Sequence, residues 1–285
     1  MKPTRLLSLF LAALIMLLPL IALAEGESPD IEVTVVIDPD EEAYIPTDDT
    51  EVEIISEPFI PENVEKTIIG VDDRRTITNT SAYPYCAIAY LDVEMACGCG
   101  GTGTGFMVAP DCLMTAAHMV ACAEHLKPVA KITMYFGYVS NKNYYYKYET
   151  TNPTFWYNSQ FSTGNGLVRA EWDYGYVRVP SSVGTATGNF GMKTWKDSEV
   201  TSTRFELAGY KWGVLKSGYG YAQLMNARRM SYTMDDEPGN SGSPVFDADY
   251  YVVGICSSGN ATTNYGCRIT NDIRLEMREH GFFKK

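Results

Sequence analysis

Near its carboxyl end, this 285-residue chain reads Asp236-Glu237-Pro238-Gly239-Asn240-Ser241-Gly242-Ser243-Pro244. A serine between glycines on a tight loop can present its hydroxyl outward, while neighbouring backbone N–H groups point at an oxygen that develops negative charge. Gly, Asn, Ser and Pro are also the residues of an ordinary turn. The segment alone therefore leaves two interpretations open, a nucleophile with its oxyanion hole or a plain turn.

The first 24 residues have the features of a secretory signal peptide. Lys2 and Arg5 give a positive start, an almost wholly apolar run spans residues 6–20, and Ala22-Leu23-Ala24 offers small residues for signal peptidase. An uncleaved membrane anchor is the alternative, but the run is short for spanning a bilayer and no charged stop-transfer cluster follows it. We expect a secreted, extracellular protein that has no membrane contact after signal cleavage.

Residues 25–66 form a strongly acidic segment. It holds 15 of the 35 acidic residues and one of the 23 basic residues, with five prolines and no cysteine. Such a segment cannot easily bury a core by itself, so we interpret it as an acidic propeptide, with a flexible linker as the alternative. Since Lys2 and Arg5 belong to the leader, residues 67–285 carry 20 acidic and 20 basic residues. This balance gives no electrostatic footprint for nucleic acid.

Residues 67–285 are predicted to form an all-β domain. Short runs rich in β-branched and aromatic residues alternate with Gly, Asn, Ser and Pro. Ten strands are predicted, at residues 83–93, 103–108, 131–138, 144–149, 174–179, 205–212, 219–225, 243–247, 251–256 and 265–270. One helix follows, capped by Asn271 or Asp272, with Ile273 and Met277 on one face and Gly281 as its stop. This order predicts a sandwich or a pair of barrels.

Three histidines are present, and His118 is the candidate general base. It follows Leu113-Met114-Thr115-Ala116-Ala117, an apolar strand end that turns into small residues, whereas His125 and His280 lie in polar surroundings typical of the surface. An acid that orients the base would lie between His118 and Ser241, and Asp173 begins a strand flanked by aromatic residues. The alternative for Asp173 is a strand cap.

Six segments carry a resemblance to a known family. They are residues 68–74, residues 76–85, Gly103-Thr104-Gly105-Phe106, the strand beginning at Asp173, the serine loop, and Tyr265-Gly266-Cys267-Arg268-Ile269-Thr270. In order, spacing and flanking sequence they resemble the trypsin-fold serine endopeptidases, and within them the secreted bacterial glutamyl endopeptidase group. The resemblance spans about residues 68–270.

The resemblance implies two six-stranded antiparallel β-barrels with the catalytic cleft between them, a C-terminal helix and a barrel boundary near residues 180–196. It implies a triad of His118 and Asp173 in the first barrel and Ser241 in the second, an oxyanion hole from the N–H groups of Gly239 and Ser241, and no metal or organic cofactor. We expect protein or peptide substrates, no nucleic-acid partner, and a monomer.

This sequence departs from the family pattern at residues that determine substrate specificity. The resembling enzymes hold a substrate carboxylate with a Ser or Thr and a His at positions that are Asp236 and Cys256 here. Aspartate repels a carboxylate and cysteine cannot replace a cationic donor. Together with Asp235, where trypsin-like enzymes keep an acid, this pattern favours a basic or neutral residue before the scissile bond over Glu.

Asn240 replaces the aspartate that pairs with a freed amino terminus in digestive trypsins, yet the propeptide still implies a zymogen.

All seven cysteines lie in residues 67–285, and an exported chain can form disulfides. The resembling enzymes commonly pin the histidine loop with a disulfide, but its two positions are Gly103 and Met119 here. Cys112 and Cys122 bracket His118 and are expected to replace that disulfide. The resemblance implies that the segments of Cys256 and Cys267 are neighbours, so these two are also expected to pair, and Cys86, Cys97 and Cys99 leave one cysteine unpaired. Cys97-Gly98-Cys99 is too tightly spaced for a usual zinc knuckle and lacks a matching downstream pair, so no metal site is predicted.

Three other functions compete with this interpretation. An α/β-hydrolase has the order Ser, acid, His and needs glycine where Ser243 stands, so it is excluded. A protease-fold binding protein that has lost activity remains the main alternative, although all three triad residues are present. Housekeeping and toxin roles differ only in target, and sequence does not separate them.

Overall fold

The computed structural model describes residues 54–56, 74–164, 166–232, 234–236, 238–259 and 263–283. The predicted signal peptide, the predicted propeptide apart from residues 54–56, and the family-like segment up to residue 73 lie outside these ranges, as does Glu237. Among the described residues, no helix has the length and apolar character needed to cross a membrane.

The described part of the chain is built mainly from strands. They are β1 (Ile54–Ser56), β2 (Arg75–Thr76), β3 (Ile88–Met95), β4 (Gly100–Ala109), β5 (Cys112–Thr115), β6 (Val129–Phe136), β7 (Tyr146–Thr151), β8 (Phe155–Tyr157), β9 (Gly175–Arg178), β10 (Gly191–Lys193), β11 (Arg204–Lys211), β12 (Val214–Leu224), β13 (Arg229–Tyr232), β14 (Pro244–Phe246), β15 (Tyr251–Gly259) and β16 (Asn264–Arg268). The α-helices are α1 (Ser159–Thr163), α2 (Gly166–Glu171), α3 (Ser181–Thr187), α4 (Asp197–Ser202) and α5 (Asn271–Glu279), and 3₁₀ turns occupy Tyr85–Ala87 and Ala117–Met119.

The first sheet has the antiparallel order β7-β6-β3-β4-β5-β9-β8 and curls into a half-barrel. Burial alternates along the second half of β3, where Leu91, Val93 and Met95 are buried and Asp92 and Glu94 are exposed. Successive side chains of a strand point to opposite faces, so this pattern places one face on a core.

The second sheet contains a closed barrel of six strands, in the order β11-β12-β13-β16-β15-β14. β14 pairs with both β11 and β15, which completes the ring. Outside the ring, β10 pairs with β15, β1 pairs with β10, and β2 pairs with β12. The strand β1 lies in the predicted propeptide. It pairs at the edge of the second sheet, whose other strands lie in residues 67–285.

The all-β class and the carboxyl-terminal helix are confirmed, and the fold is trypsin-like. Each of the ten predicted strands corresponds to an observed one, while β1, β2, β5, β8, β10 and β13, of two to four residues each, are not among the ten predicted strands. One barrel closes, and the other sheet forms a half-barrel. The last strand of the first sheet ends at Arg178 and the next strand, in the second sheet, begins at Gly191, so the crossover overlaps the predicted boundary at residues 180–196.

The helix α5 differs from its prediction at one end. It begins after Thr270, so Thr270 rather than Asn271 or Asp272 occupies the cap position. Ile273 and Met277 are buried as predicted. Gly281 follows the helix with φ of 69°, a left-handed conformation that glycine adopts without strain.

Candidate active site

His118 and Asp173 lie at the same end of two neighbouring strands. β5 pairs with β9 in the register Thr115 opposite Gly175, so the turn after β5 and the residues before β9 meet. The Nδ1 atom of His118 lies 2.8 Å from Oδ2 of Asp173, and the backbone N–H of His118 donates to Oδ1 over 3.0 Å. The two bonds fix both the ring and the main chain of the histidine against one carboxylate.

Burial and charge act in opposite directions on this pair. Burial disfavours the cation of His118, but the charge of Asp173 and its hydrogen bond outweigh burial and raise the pKa of His118 above 6.5. Burial likewise disfavours the anion of Asp173, but the charge of His118 and the hydrogen bonds that the carboxylate accepts lower its pKa below 3.8. The side chain of His118 remains 27% exposed and that of Asp173 only 7%, so the imidazole can still reach a substrate.

Ser257 is a third member of this hydrogen-bond network. Its hydroxyl donates to Oδ2 of Asp173 over 2.6 Å, and Ser257 itself is buried. A carboxylate that accepts several donors is held as an anion in one orientation. Sequence reasoning missed Ser257, because a serine within a strand carries no pattern that separates it from a structural residue.

Thr104 of β4 joins the serine loop to the histidine strand. Its N–H donates to the carbonyl oxygen of Ser241 over 2.8 Å, and its own carbonyl oxygen accepts from the hydroxyl of Thr115 over 2.7 Å. Its hydroxyl donates to the carbonyl oxygen of Gly239 over 3.0 Å. Thr104 therefore anchors the serine loop at two points and is itself bonded to Thr115, three residues before His118, although sequence reasoning did not single out Thr104.

The other side of the serine loop is held by β15, the strand that carries Ser257. The N–H of Gly242 donates to the carbonyl oxygen of Cys256 over 2.7 Å, and the N–H of Cys256 donates to that of Ser243 over 2.8 Å. A Cβ on Gly242 would lie 2.2 Å from the carbonyl oxygen of Thr104. Only glycine fits there, so the residue after Ser241 packs directly against the histidine side of the cleft.

The two residues before Ser241 have distinct environments. Gly239 adopts φ of 107°, which favours glycine, and a Cβ there would lie 2.8 Å from the carbonyl oxygen of Tyr210. Asn240 is buried. The predicted oxyanion-hole residues Gly239 and Ser241 thus flank a buried residue in a loop that main-chain hydrogen bonds hold on both sides.

The predicted pocket residues divide into a contacting pair, in which Cys256 is buried and Asp236 is partly buried, and an exposed acid. The thiol of Cys256 donates to Oδ2 of Asp236 over 3.0 Å. Burial raises the pKa of Asp236 above 3.8, in part offset by hydrogen bonds from Cys256 and Asn240 and by the charge of Arg74. Asp235 is exposed. The structure brings Asp236 and Cys256 into direct contact beside the serine loop.

The predicted disulfides are wrong. All seven cysteines are free thiols. Cys112 lies in β5 with its sulfur near the carbonyl oxygen of Leu113, whereas the sulfur of Cys122 faces His125. Of the other two histidines, His125 is exposed as predicted, although its ring also contacts two cysteines, and the partly exposed His280 stacks on Trp156 with ring centroids 4.8 Å apart.

Comparison with known proteins agrees with this architecture. Residues 103–255 match the trypsin-like peptidase domain. A glutamyl endopeptidase of Bacillus licheniformis is 28% identical over 232 residues, which cover 73% of this chain and 67% of the relative. A protein of Bacillus subtilis strain 168 named extracellular metalloprotease is 28% identical over 219 residues, covering 72% of this chain and 67% of that protein.

A solved structure of a Glu endopeptidase in complex with MPD has the same fold. Its TM-score is 0.63 at 23% sequence identity, and the match covers 75% of this chain and 99% of that one. The family match spans more than half of the chain and includes the segments that hold His118, Asp173 and Ser241. The chain therefore belongs to the trypsin-like serine peptidase family.

Proposed function

We propose that the protein is a serine endopeptidase in which His118, Asp173 and Ser241 form the catalytic triad. The hydrogen bonds that Asp173 accepts from the ring and backbone of His118 and from Ser257 carry this proposal. They leave Nε2 of His118 as the ring atom available to take a proton. The anchoring of the Ser241 loop on Thr104 supports the choice of nucleophile.

The reaction follows from these contacts. His118 accepts the proton of the Ser241 hydroxyl at Nε2 as the oxygen attacks a peptide carbonyl, and its Nδ1–H donates to Asp173. The N–H groups of Gly239 and Ser241 stabilise the oxyanion. The His118 cation then protonates the leaving amine, and a water activated by the same histidine hydrolyses the acyl-enzyme. No step requires a metal or an organic cofactor.

We propose a preference for a basic or neutral residue before the scissile bond over Glu. The contact of the partly buried Asp236 with Cys256 supports this preference, because it places a carboxylate where the resembling glutamyl enzymes bind a substrate carboxylate. Cleavage rates on matched peptides with Lys, Leu or Glu at that position test it. Asp236→Asn should lower the Lys to Glu ratio at least tenfold, and the exposed control Asp235→Asn should change it less than threefold.

We further propose secretion and synthesis as a zymogen. The amino-terminal signal features and the similarity to an extracellular protease of Bacillus subtilis support secretion. The pairing of β1 with β10 supports a propeptide that docks on the body through strand addition. Removal of residues 25 to about 66 should be needed for full activity, and an equally active uncleaved form would contradict the zymogen.

The function is tested by digestion of a mixed peptide library with the processed protein, read by mass spectrometry. Ser241→Ala should abolish cleavage, whereas Ser243→Ala should retain it. Ser243 is a matched control because its buried hydroxyl has no hydrogen-bond partner among the described residues. No cleavage by the wild type after confirmed removal of the propeptide would favour the alternative, a protease-fold binding protein without activity.

A further inference from the structure

Four potential metal ligands from two loops of the first sheet meet in one cluster. Cys97 and Cys99 lie in the turn between β3 and β4, and Cys122 and His125 follow the 3₁₀ turn that carries His118. The three Sγ atoms and one nitrogen of the imidazole all lie within 4.8 Å of one another. This cluster lies outside the network of Asp173 and is not used by the proposed reaction.

Main-chain pairing explains how the two loops meet. Met95, the last residue of β3, pairs with Val129 of β6, and the N–H of Ala96 donates to the carbonyl oxygen of Pro128 over 2.8 Å. The N–H of Cys122 donates to the carbonyl oxygen of Lys127 over 2.8 Å, which folds its loop back onto itself. The sheet therefore presents both pairs of ligands to the same space.

The distances fit a tetrahedral zinc ion. With Zn–S of about 2.3 Å and Zn–N of about 2.0 to 2.1 Å, tetrahedral ligands are separated by about 3.6 Å for S and N and about 3.8 Å for two sulfurs. Nδ1 of His125 lies 3.4 Å from the sulfur of Cys99 and 3.5 Å from that of Cys122. The backbone N–H of His125 also donates to the sulfur of Cys122 over 3.5 Å, a contact that stabilises a thiolate ligand.

We propose that Cys97, Cys99, Cys122 and His125 bind one structural zinc ion. Three thiolates and one imidazole are soft ligands that favour zinc over calcium or magnesium. Binding releases the three thiol protons to solvent and leaves a site of net charge −1. All four positions are taken by protein side chains, so the ion has no open position for a water nucleophile and cannot serve hydrolysis.

The zinc ion would clamp the β3–β4 turn to the segment that follows His118. It would take the place of the disulfide expected between Cys112 and Cys122 as the constraint on the catalytic histidine. The sequence prediction of no metal site rested on the lack of a second pair downstream of Cys97 and Cys99. That pair exists as Cys122 and His125, but the loop pairing that unites it with the first is visible only in the fold.

The main alternative in an exported protein is a disulfide between two of the three cysteines. It would use two thiols and leave the third cysteine and His125 without a common role. Counting thiols separates the two states: zinc binding predicts that all seven cysteines of the denatured, chelator-treated chain react with a thiol reagent. One disulfide in the cluster predicts five.

The experiment uses the full chain, exported and purified without reductant or chelator, with Ser241→Ala introduced to prevent self-digestion. Elemental analysis should find about one zinc per chain. Cys122→Ser and His125→Ala in the same background should lower the zinc content at least fivefold. Cys86→Ser is the matched control, since Cys86 is buried outside the cluster with its thiol on the carbonyl oxygen of Thr187, and its zinc content should be unchanged.

Cobalt exchange provides a second measurement that does not depend on the folding of the variants. Replacement of zinc by Co²⁺ should give thiolate-to-cobalt charge-transfer bands and the intense visible bands of a tetrahedral site. Five reactive thiols without metal, stoichiometric binding of a different metal, unchanged zinc in the cluster variants, or an octahedral cobalt spectrum would each overturn the proposal. None of these readouts depends on peptidase activity, so the result stands apart from the proposed function.

Discussion

Replacement of Asp173 by asparagine tests the triad through the tautomer of His118. Oδ1 of Asp173 accepts a hydrogen bond from the backbone N–H of His118, and this N–H group can only act as a donor. The amide oxygen of asparagine must therefore occupy that position, which turns the NH₂ group toward Nδ1 of His118. Nδ1 becomes an acceptor and the ring proton moves to Nε2, so the imidazole can no longer accept the proton of Ser241.

The expected loss is the whole contribution of the general base. Such a change of tautomer lowers kcat by about 10⁴-fold in a comparable triad, which is about 5.5 kcal/mol at 1.36 kcal/mol for each tenfold change. The hydroxyl of Ser257 can rotate to accept from the new NH₂ group, so the fold should be preserved. We expect kcat/KM to fall by about 10³ to 10⁴ with little change in KM.

The assay is kcat/KM on a cleaved peptide for the wild type, Asp173→Asn and the control Asp111→Asn. Asp111 forms an ion pair with Arg178 at 2.8 Å and has no contact with His118 among the described residues. Asp111→Asn should remain within about threefold of the wild type. A loss of less than tenfold in Asp173→Asn, with circular dichroism unchanged, would refute the assignment of Asp173.

Three further predictions concern pH and the serine loop. The pKa of His118 is raised and the reaction needs the neutral imidazole, so kcat/KM should fall as the pH drops, with an apparent pKa above 6.5 on the acidic side of the profile. An apparent pKa at or below 6.5 would contradict this prediction. Burial raises the pKa of Glu276 to about 8, so the folded state binds this proton more tightly than the unfolded state and stability falls as the pH rises from about 5 to 8. In urea titrations, Glu276→Gln should lower the dependence of the unfolding free energy on pH by about 1.4 kcal/mol per pH unit over this range. A variant with the same pH dependence as the wild type would count against this prediction. Gly242→Ala should lower the unfolding free energy by at least about 2 kcal/mol, since its Cβ would overlap Thr104, whereas Gly101→Ala, with open space around it, should change it by less than about 1 kcal/mol.

Much of the fold could be predicted from the sequence because its longer strands repeat with period two between clear turn residues. The strand β3 alternates buried and exposed residues from Leu91 to Met95. By contrast, β8 and β10 have three residues each, too few for a period to be seen. Closure of the second sheet depends on the pairing of β14 with β11, a long-range contact that places Glu206 opposite Phe246 and that no local pattern specifies.

The candidate site divides in the same way. His118, Asp173 and Ser241 lie in distinctive local segments, so motif and order were enough to select them. Thr104 and Ser257 act through contacts with residues more than 80 positions away, and nothing in their neighbourhood marks that role. The disulfide predictions failed for a related reason. Cys112 and Cys122 were paired because they bracket His118 in the sequence, whereas the fold turns the sulfur of Cys122 toward His125.

Covalent labelling with a fluorophosphonate probe tests the central claim most directly. The probe reacts with a serine hydroxyl only when a base and an oxyanion hole activate it. Peptide mapping of the labelled, processed protein should find a single adduct on Ser241, lost in Ser241→Ala and retained in Ser243→Ala. Labelling should slow at least a hundredfold in His118→Ala. An adduct on another serine, or no adduct on a protein whose propeptide has been removed, would contradict the proposed triad.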